Sequence, residues 1–314
     1  SRLISIPVRG GATNSSGNQK QSRMKKIDKE FVRNCDDELV AKGLKLHQRP
    51  FHVAIEWMKA QNLSCNVFDE VIWKPLMDIY RDLYPSGNFS MPVMFEGGVA
   101  LRDQMYPVEI PLGFGKFIIN SIDFIKISRT ELKLIFQHYS EQGWRALYGV
   151  ADLWDFAYGT DDLSHVGGDA RQLFTNARSS LAATTRILSG NGDTDAAVQT
   201  ICLTAGLALK GALAVRGWTD PQYKKLSHHL HKLANALIGE VSTMHDDRLR
   251  DAVAKFPDYV GTRYSSHGMT RSELMVMAMR AQFVAGEALR RVSSRDLALP
   301  IEADPQNPTR PALW

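Results

Sequence analysis

At 314 residues, with 44% hydrophobic and 23% charged side chains, the chain has the composition of an ordinary globular protein and exceeds the size at which one hydrophobic core usually stops growing. Charged residues interrupt every long apolar stretch, and the opening SRLISIPVRGG has no apolar core followed by small residues, so neither a membrane span nor a secretory signal is expected. A net charge of +4 is too small over this length to indicate nucleic-acid binding by itself.

Residues 1–27 carry Arg2, Arg9, Lys20, Arg23, Lys25 and Lys26 with no acid among them, and are rich in Gly, Ser, Asn and Gln. That is the texture of a flexible basic arm, either a solubilising tail or a contact for nucleic acid or an acidic partner. Helical spacing of Phe31, Val32, Leu39 and Val40 predicts a helix from residue 28 to about 42. A second helix follows Pro50, with Phe51, Ala54, Ile55 and Met58 on one stripe. A third covers 68–84, where Pro75 should kink or split it. Between 86 and 115 Pro and Gly recur too often for a long helix, and short extended pieces fit 92–95, 107–111 and 116–127. Ser128 and Glu131 have capping-box spacing and open a helix that stops at Gly143, with another over 144–158. Residues 28–158 therefore read as a mixed, mostly helical N-terminal domain with a small β element.

The segment 159–167, GTDDLSHVG, has no periodic apolar residues and is the expected linker. Beyond it the periodicity predicts an antiparallel bundle over 168–292. Its helices cover 169–188, 196–215 with Asp195 as N-cap, 226–241, 248–264, and 270–292, the last opening with a Thr270/Glu273 capping box. The apolar stripe Leu274, Met275, Met277, Ala278, Ala281, Phe283 and Val284 is broader than one packed face requires. Pro300, Pro305, Pro308 and Pro311 make 293–314 an extended tail. The fold class is thus mainly α. Cys35, Cys65 and Cys202 are odd in number and far apart, which suits a reducing cytoplasm better than a disulfide framework or a zinc site.

Three local signatures follow one another in the bundle. AGLALKGALAVRG at 205–217 is a small and apolar run that leads into a Leu-Lys pair and ends at Gly. SHHLHKL at 227–233 places a His ahead of Leu-x-x-Leu, and DYVGTRY at 258–264 contains Tyr-x-x-x-Arg-Tyr. In this order they resemble the HEPN family, helical domains of prokaryotes and some eukaryotes associated with nucleotides and RNA. The resemblance covers roughly 168–292. It implies a bacterial, cytoplasmic nucleotide- or RNA-binding protein that pairs as a homodimer and uses no cofactor. The N-terminal domain would supply specificity for a protein partner. Lys210, His228, Arg263 and Tyr264 are the ligand-binding residues it implies.

Physical chemistry gives each of these residues two readings. Lys210 lies among Leu207, Leu209, Ala212 and Leu213, so it either snorkels over apolar surface or presents its ammonium to a ligand. His228 near a helix start could meet an anion or secure the helix entry. Arg263 and Tyr264 could clamp a phosphate and stack a base, or tie the last helical turn to the bundle. Ribonucleases of the family carry an Arg shortly before a His, pairing a cation with an acid/base imidazole. Here the nearest approach is Arg263 and His267, with only three residues between them. That favours a binding or sensor module over the alternative, a non-standard metal-independent ribonuclease of toxin or antiviral type. His245-Asp246-Asp247 reads as a helix cap rather than as metal ligands.

Overall fold

The computed structural model describes residues 4–6, 26–63, 70–89, 95–111, 117–119, 121–163, 166–192, 194–258 and 268–313. Most of the basic arm, Cys65, Arg263, Tyr264 and His267 lie outside them. The protein is mainly helical with a small β element, as its periodicity indicates. It divides into two compact units, residues 9–92 and residues 1–8 with 93–314.

The smaller unit is built from α1 (Lys29–Ala41), α2 (Arg49–Ala60) and α3 (Glu70–Leu83). Pro50 occupies the first turn of α2, where its missing N–H costs nothing, and α3 runs on through Pro75 without interruption. Val32, Val53, Ala54, Ile72, Leu76 and Tyr80 form its core. Buried beside them, Arg49 Nη1 donates to Asp36 Oδ2 at 2.9 Å, and the hydroxyls of Tyr80 and Tyr84 donate to the same carboxylate. Arg49 is 7% exposed and Asp36 2%, so the pair survives desolvation only because the tyrosines fill the remaining acceptor positions.

The larger unit contains β1 (Ile4–Ile6), the hairpin β2 (Phe95–Leu101) and β3 (Gln104–Ile110), and β4 (Phe117–Ile119), which pairs antiparallel with β1. Its helices are α4 (Arg129–His138), α5 (Ser140–Asp162), α6 (Asp169–Ser189), α7 (Ala197–Val215), α8 (Asp220–Lys225), α9 (Leu230–Glu240), α10 (Asp246–Ala254), α11 (Arg271–Arg290) and α12 (Ala298–Ala303). The hairpin turns at Arg102-Asp103, with Arg102 at φ 56°, a conformation that tight hairpin loops use. It is longer than the extended pieces at 92–95 and 107–111 foresee, because Gly97 and Gly98 belong to the strand. A Cβ at Gly97 would lie 2.8 Å from the Leu153 methyls, so glycine there admits α5 to the sheet. Helix α11 closes the outer edge of β2. Gln282 Oε1 accepts from Gly98 N at 3.2 Å, its Nε2 donates to Gly149 O at 2.6 Å, and Met279 Sδ accepts from Ala100 N at 3.2 Å.

One continuous core runs from Phe95 to Leu313, which corrects the expected division at 159–167. Residues 159–162 are the last turn of α5, not a linker. Gly159 is there for close approach: a Cβ would meet Leu289 Cβ at 2.9 Å. Asp162 accepts two hydrogen bonds from Arg295, at 2.7 and 2.8 Å. The break between compact units falls instead near residue 92. The basic arm is corrected in one detail, since residues 4–6 form a strand. The extended tail is corrected too: α12 interrupts it, and Arg310 and Leu313 are buried. The apolar stripe from Leu274 to Val284 is buried against other elements of this unit, so its breadth is used up within the chain and gives no dimer surface. Helix α7 is the one described helix long and apolar enough to cross a membrane, and most of it is buried in this core.

Candidate functional site

The sequence brings two of the four expected ligand residues together. Helix α7 buries Ile201, Ala205, Ala208, Leu209 and Ala212 and leaves Lys210 half-buried at the edge of that face. Gly217, at φ 91°, stops the helix, where the N–H of Trp218 returns to Leu213 O at 3.0 Å. A short helix that the periodicity reading misses, α8, then begins with a complete capping box between Thr219 and Gln222. The signal was present as Thr-x-x-Gln with Pro221 in the first turn, but one turn and a half is too brief for periodicity to register. Tyr223 anchors α8, buried and hydrogen-bonded to Asp169 Oδ2 at 3.3 Å, while Lys224 pairs with Asp220 at 2.6 Å.

The chain then turns sharply. Ser227 has φ 56°, and His229 is the N-cap of α9 without a side-chain cap bond. The predicted start of this helix at 226 is therefore four residues early, because the left-handed Ser227 separates α8 from α9. That turn brings His228 over α7. Lys210, Ser227 and His228 line one cavity of about 30 Å³, whose apolar walls are Cys202, Leu203, Gly206, Leu207, Leu230 and Leu233. The volume exceeds what one water needs, about 10–15 Å³, and falls far short of the ~300 Å³ of a drug-sized pocket. A cavity of this size has room for a small group at most and not for a nucleobase.

The electrostatics favour an anion there. Burial holds the Lys210 ammonium below its ordinary pKa; Asp220 opposes that shift and Lys224 adds to it. An anion at the mouth would restore the charged form. The backbone donors at the start of α9 add a partial positive charge beside the same opening. Cys202 in the wall is no nucleophile, since burial pushes its thiol up to about 12. Arg263 and Tyr264 lie outside the described residues.

Other constellations are occupied by structure. Asp246 accepts from Ser242 Oγ at 2.6 Å and Thr243 N at 3.0 Å and pairs with Arg291 at 2.7 Å; His245, beside it, is buried. Among the described residues no three His, Cys, Asp or Glu side chains gather as metal ligands. In the smaller unit an open cleft of about 760 Å³ lies between α1 and α2, floored by Phe31, Leu39 and Leu44. Its rim charges pair with one another, Lys59 with Glu56 at 2.7 Å and Lys42 with Glu38 at 3.9 Å. Cys35 there has its thiol raised first by burial and then by Glu38 and Glu56, so it is a poor nucleophile. No protein-family model, characterised protein or solved structure matches the chain.

Proposed function

We propose that the helices of the larger unit from α6 to α11 form a HEPN-like module that binds a phosphate-bearing ligand, a nucleotide or RNA, in a cytoplasmic binding or sensor protein. The observation that carries this reading is the convergence of Lys210 and His228, taken from separate motifs, on one small opening. The cavity takes the phosphate alone, and the rest of the ligand lies across the exposed residues at the start of α9, His228, His229, His231 and Lys232. A binding role fits the chain better than cleavage, because the family's ribonucleases carry an Arg shortly before a His, and the nearest approach here, Arg263 and His267, has only three residues between them.

The test is a titration of fluorescently labelled single-stranded RNA and of ATP, at low and at high salt, with the wild-type chain and with Lys210→Met. Binding that weakens as salt rises, and falls by about 10-fold or more in the variant, is expected for a lost charge-assisted hydrogen bond. Absence of binding to either ligand at low salt sinks the reading.

A further inference from the structure

After α12 the chain passes through a turn and lies extended over α5 and α11 as residues 304–313. The turn is closed by Asn307 N to Asp304 O at 3.0 Å, which is the segment's only backbone–backbone hydrogen bond among the described residues. Everything else that holds the segment comes from side chains. Tyr148 OH donates to Pro308 O at 3.4 Å, Arg145 Nε to Ala312 O at 3.1 Å, and Arg280 Nε to Leu313 O at 2.7 Å. The segment's buried polar anchor is Arg310, beside the buried Leu313. Its guanidinium lies between the rings of Tyr148 and Phe283, 5.0 and 4.8 Å from their centroids, and it donates to Asp152 and, at 3.5 Å, to Glu302.

These are the features of peptide recognition rather than of an ordinary chain connection. Pro305, Pro308 and Pro311 pre-set an extended backbone, so little entropy is lost on docking. Body side chains read three carbonyls, and an acidic pocket with aromatic walls reads one arginine. The pocket does not depend on the segment for its integrity. Asp152 also pairs with Arg290 at 2.7 Å, Glu302 with Arg248 at 2.8 Å, and α12 is held by Asp155, which accepts from Leu297 N at 2.6 Å. The segment can therefore leave without breaking a helix or a strand.

We propose that the groove on α5 and α11 receives the corresponding segment of a second copy of this chain, giving a dimer in which residues 304–313 are exchanged. A foreign peptide would have to displace a tethered competitor whose effective concentration is of millimolar order. Reciprocal exchange keeps every contact twice over and opens only the turn at 304–307, which makes a second copy the occupant the geometry favours.

The test uses the full chain. Light scattering from ~10 µM to ~1 mM should show the mass rising from 35.1 kDa towards twice that value, since exchange competes with closure at an effective concentration of millimolar order. Excess synthetic peptide of residues 304–313 should return the population to monomer, and the same peptide with Arg310→Ala should leave the dimer in place. A chain that stays at 35.1 kDa throughout overturns the proposal, and so does a dimer that either both peptides or neither dissolves.

Discussion

Gly286 on α11 packs directly on the backbone of Asp152 on α5: a Cβ built there would lie 2.7 Å from the Asp152 carbonyl oxygen and 3.1 Å from its Cα. Backbone cannot yield as the end of a side chain can. Gly286→Ala should therefore force the two helices apart and cost about 1–3 kcal/mol in urea unfolding, the range for overpacked cores. Gly206→Ala is the control. Its Cβ would meet Leu230 Cδ2 at 3.4 Å, an ordinary contact, so that variant should be neutral or gain up to ~1 kcal/mol from helix propensity. Equal losses in the two variants would refute the close-approach account.

In the smaller unit Asp36→Ala should be among the most damaging substitutions. Among the described residues it leaves the buried Arg49 guanidinium with only Tyr84 OH as a hydrogen-bond partner, at 3.2 Å, and Arg49 Nε already has none. The expected loss is about 3–5 kcal/mol, with hydrogen-exchange protection falling across α1 to α3. The double change Asp36→Leu with Arg49→Met should recover much of it, because a neutral pair leaves no buried charge uncompensated. If the double variant is as unstable as the single one, packing rather than charge governs the site.

Lys210 separates stability from function. Its ammonium is partly desolvated and has no ion-pair partner within bonding distance among the described residues, so Lys210→Met should leave the melting temperature unchanged or raise it. Anion binding should weaken in the same variant. A variant that melts early and binds normally would assign Lys210 to packing.

The pH dependence at the acid end should carry the signature of Asp246. Burial alone would raise its carboxyl, but bonds from Ser242, Thr243 N and Arg291 outweigh it and hold the group at about 2. The folded pKa is below the unfolded value near ~3.9, so its contribution is complete above about pH 4 and is lost as pH falls towards 2. Asp246→Asn should lower stability at pH 7 and flatten the stability curve between those limits. An unchanged slope would mean that Asp246 is solvated in both states.

The sequence was most legible where a helix was long and had a marked start. The start of α11 at Arg271 follows from Thr270 and Glu273, whose reciprocal bonds form at 2.7 and 3.3 Å. The second such pair works by half: Ser128 Oγ caps Glu131 N at 3.2 Å, but the Glu131 carboxylate is taken by Tyr106 OH at 2.5 Å. No sequence reading foresees that competitor, since it comes from the hairpin. Glycine was the main source of error. Gly143 and Gly159 look like breaks and are contact points inside α5, because spacing alone does not tell a residue that frees the backbone from one that admits a neighbour. At the site, Lys210 and His228 were visible as chemistry, but their meeting depends on α8 and the left-handed Ser227, which are too short for periodicity.

The bonds from Gln282 and Met279 to β2 have a consequence for how the chain reaches its fold. The hairpin can form early, since its strands are adjacent, yet the outer amides of Gly98 and Ala100 wait for partners 184 and 179 residues further along the chain. Until α11 arrives, β2 is an open strand edge beside apolar Val99 and Leu101, the kind of surface that pairs wrongly with other molecules. Contacts this distant also slow folding. During synthesis the ribosome would hold that edge unprotected for about 10–40 s at ordinary elongation rates. Weakening the α11 contact should therefore lower the yield of folded chain more than it lowers the stability of chains that have already folded.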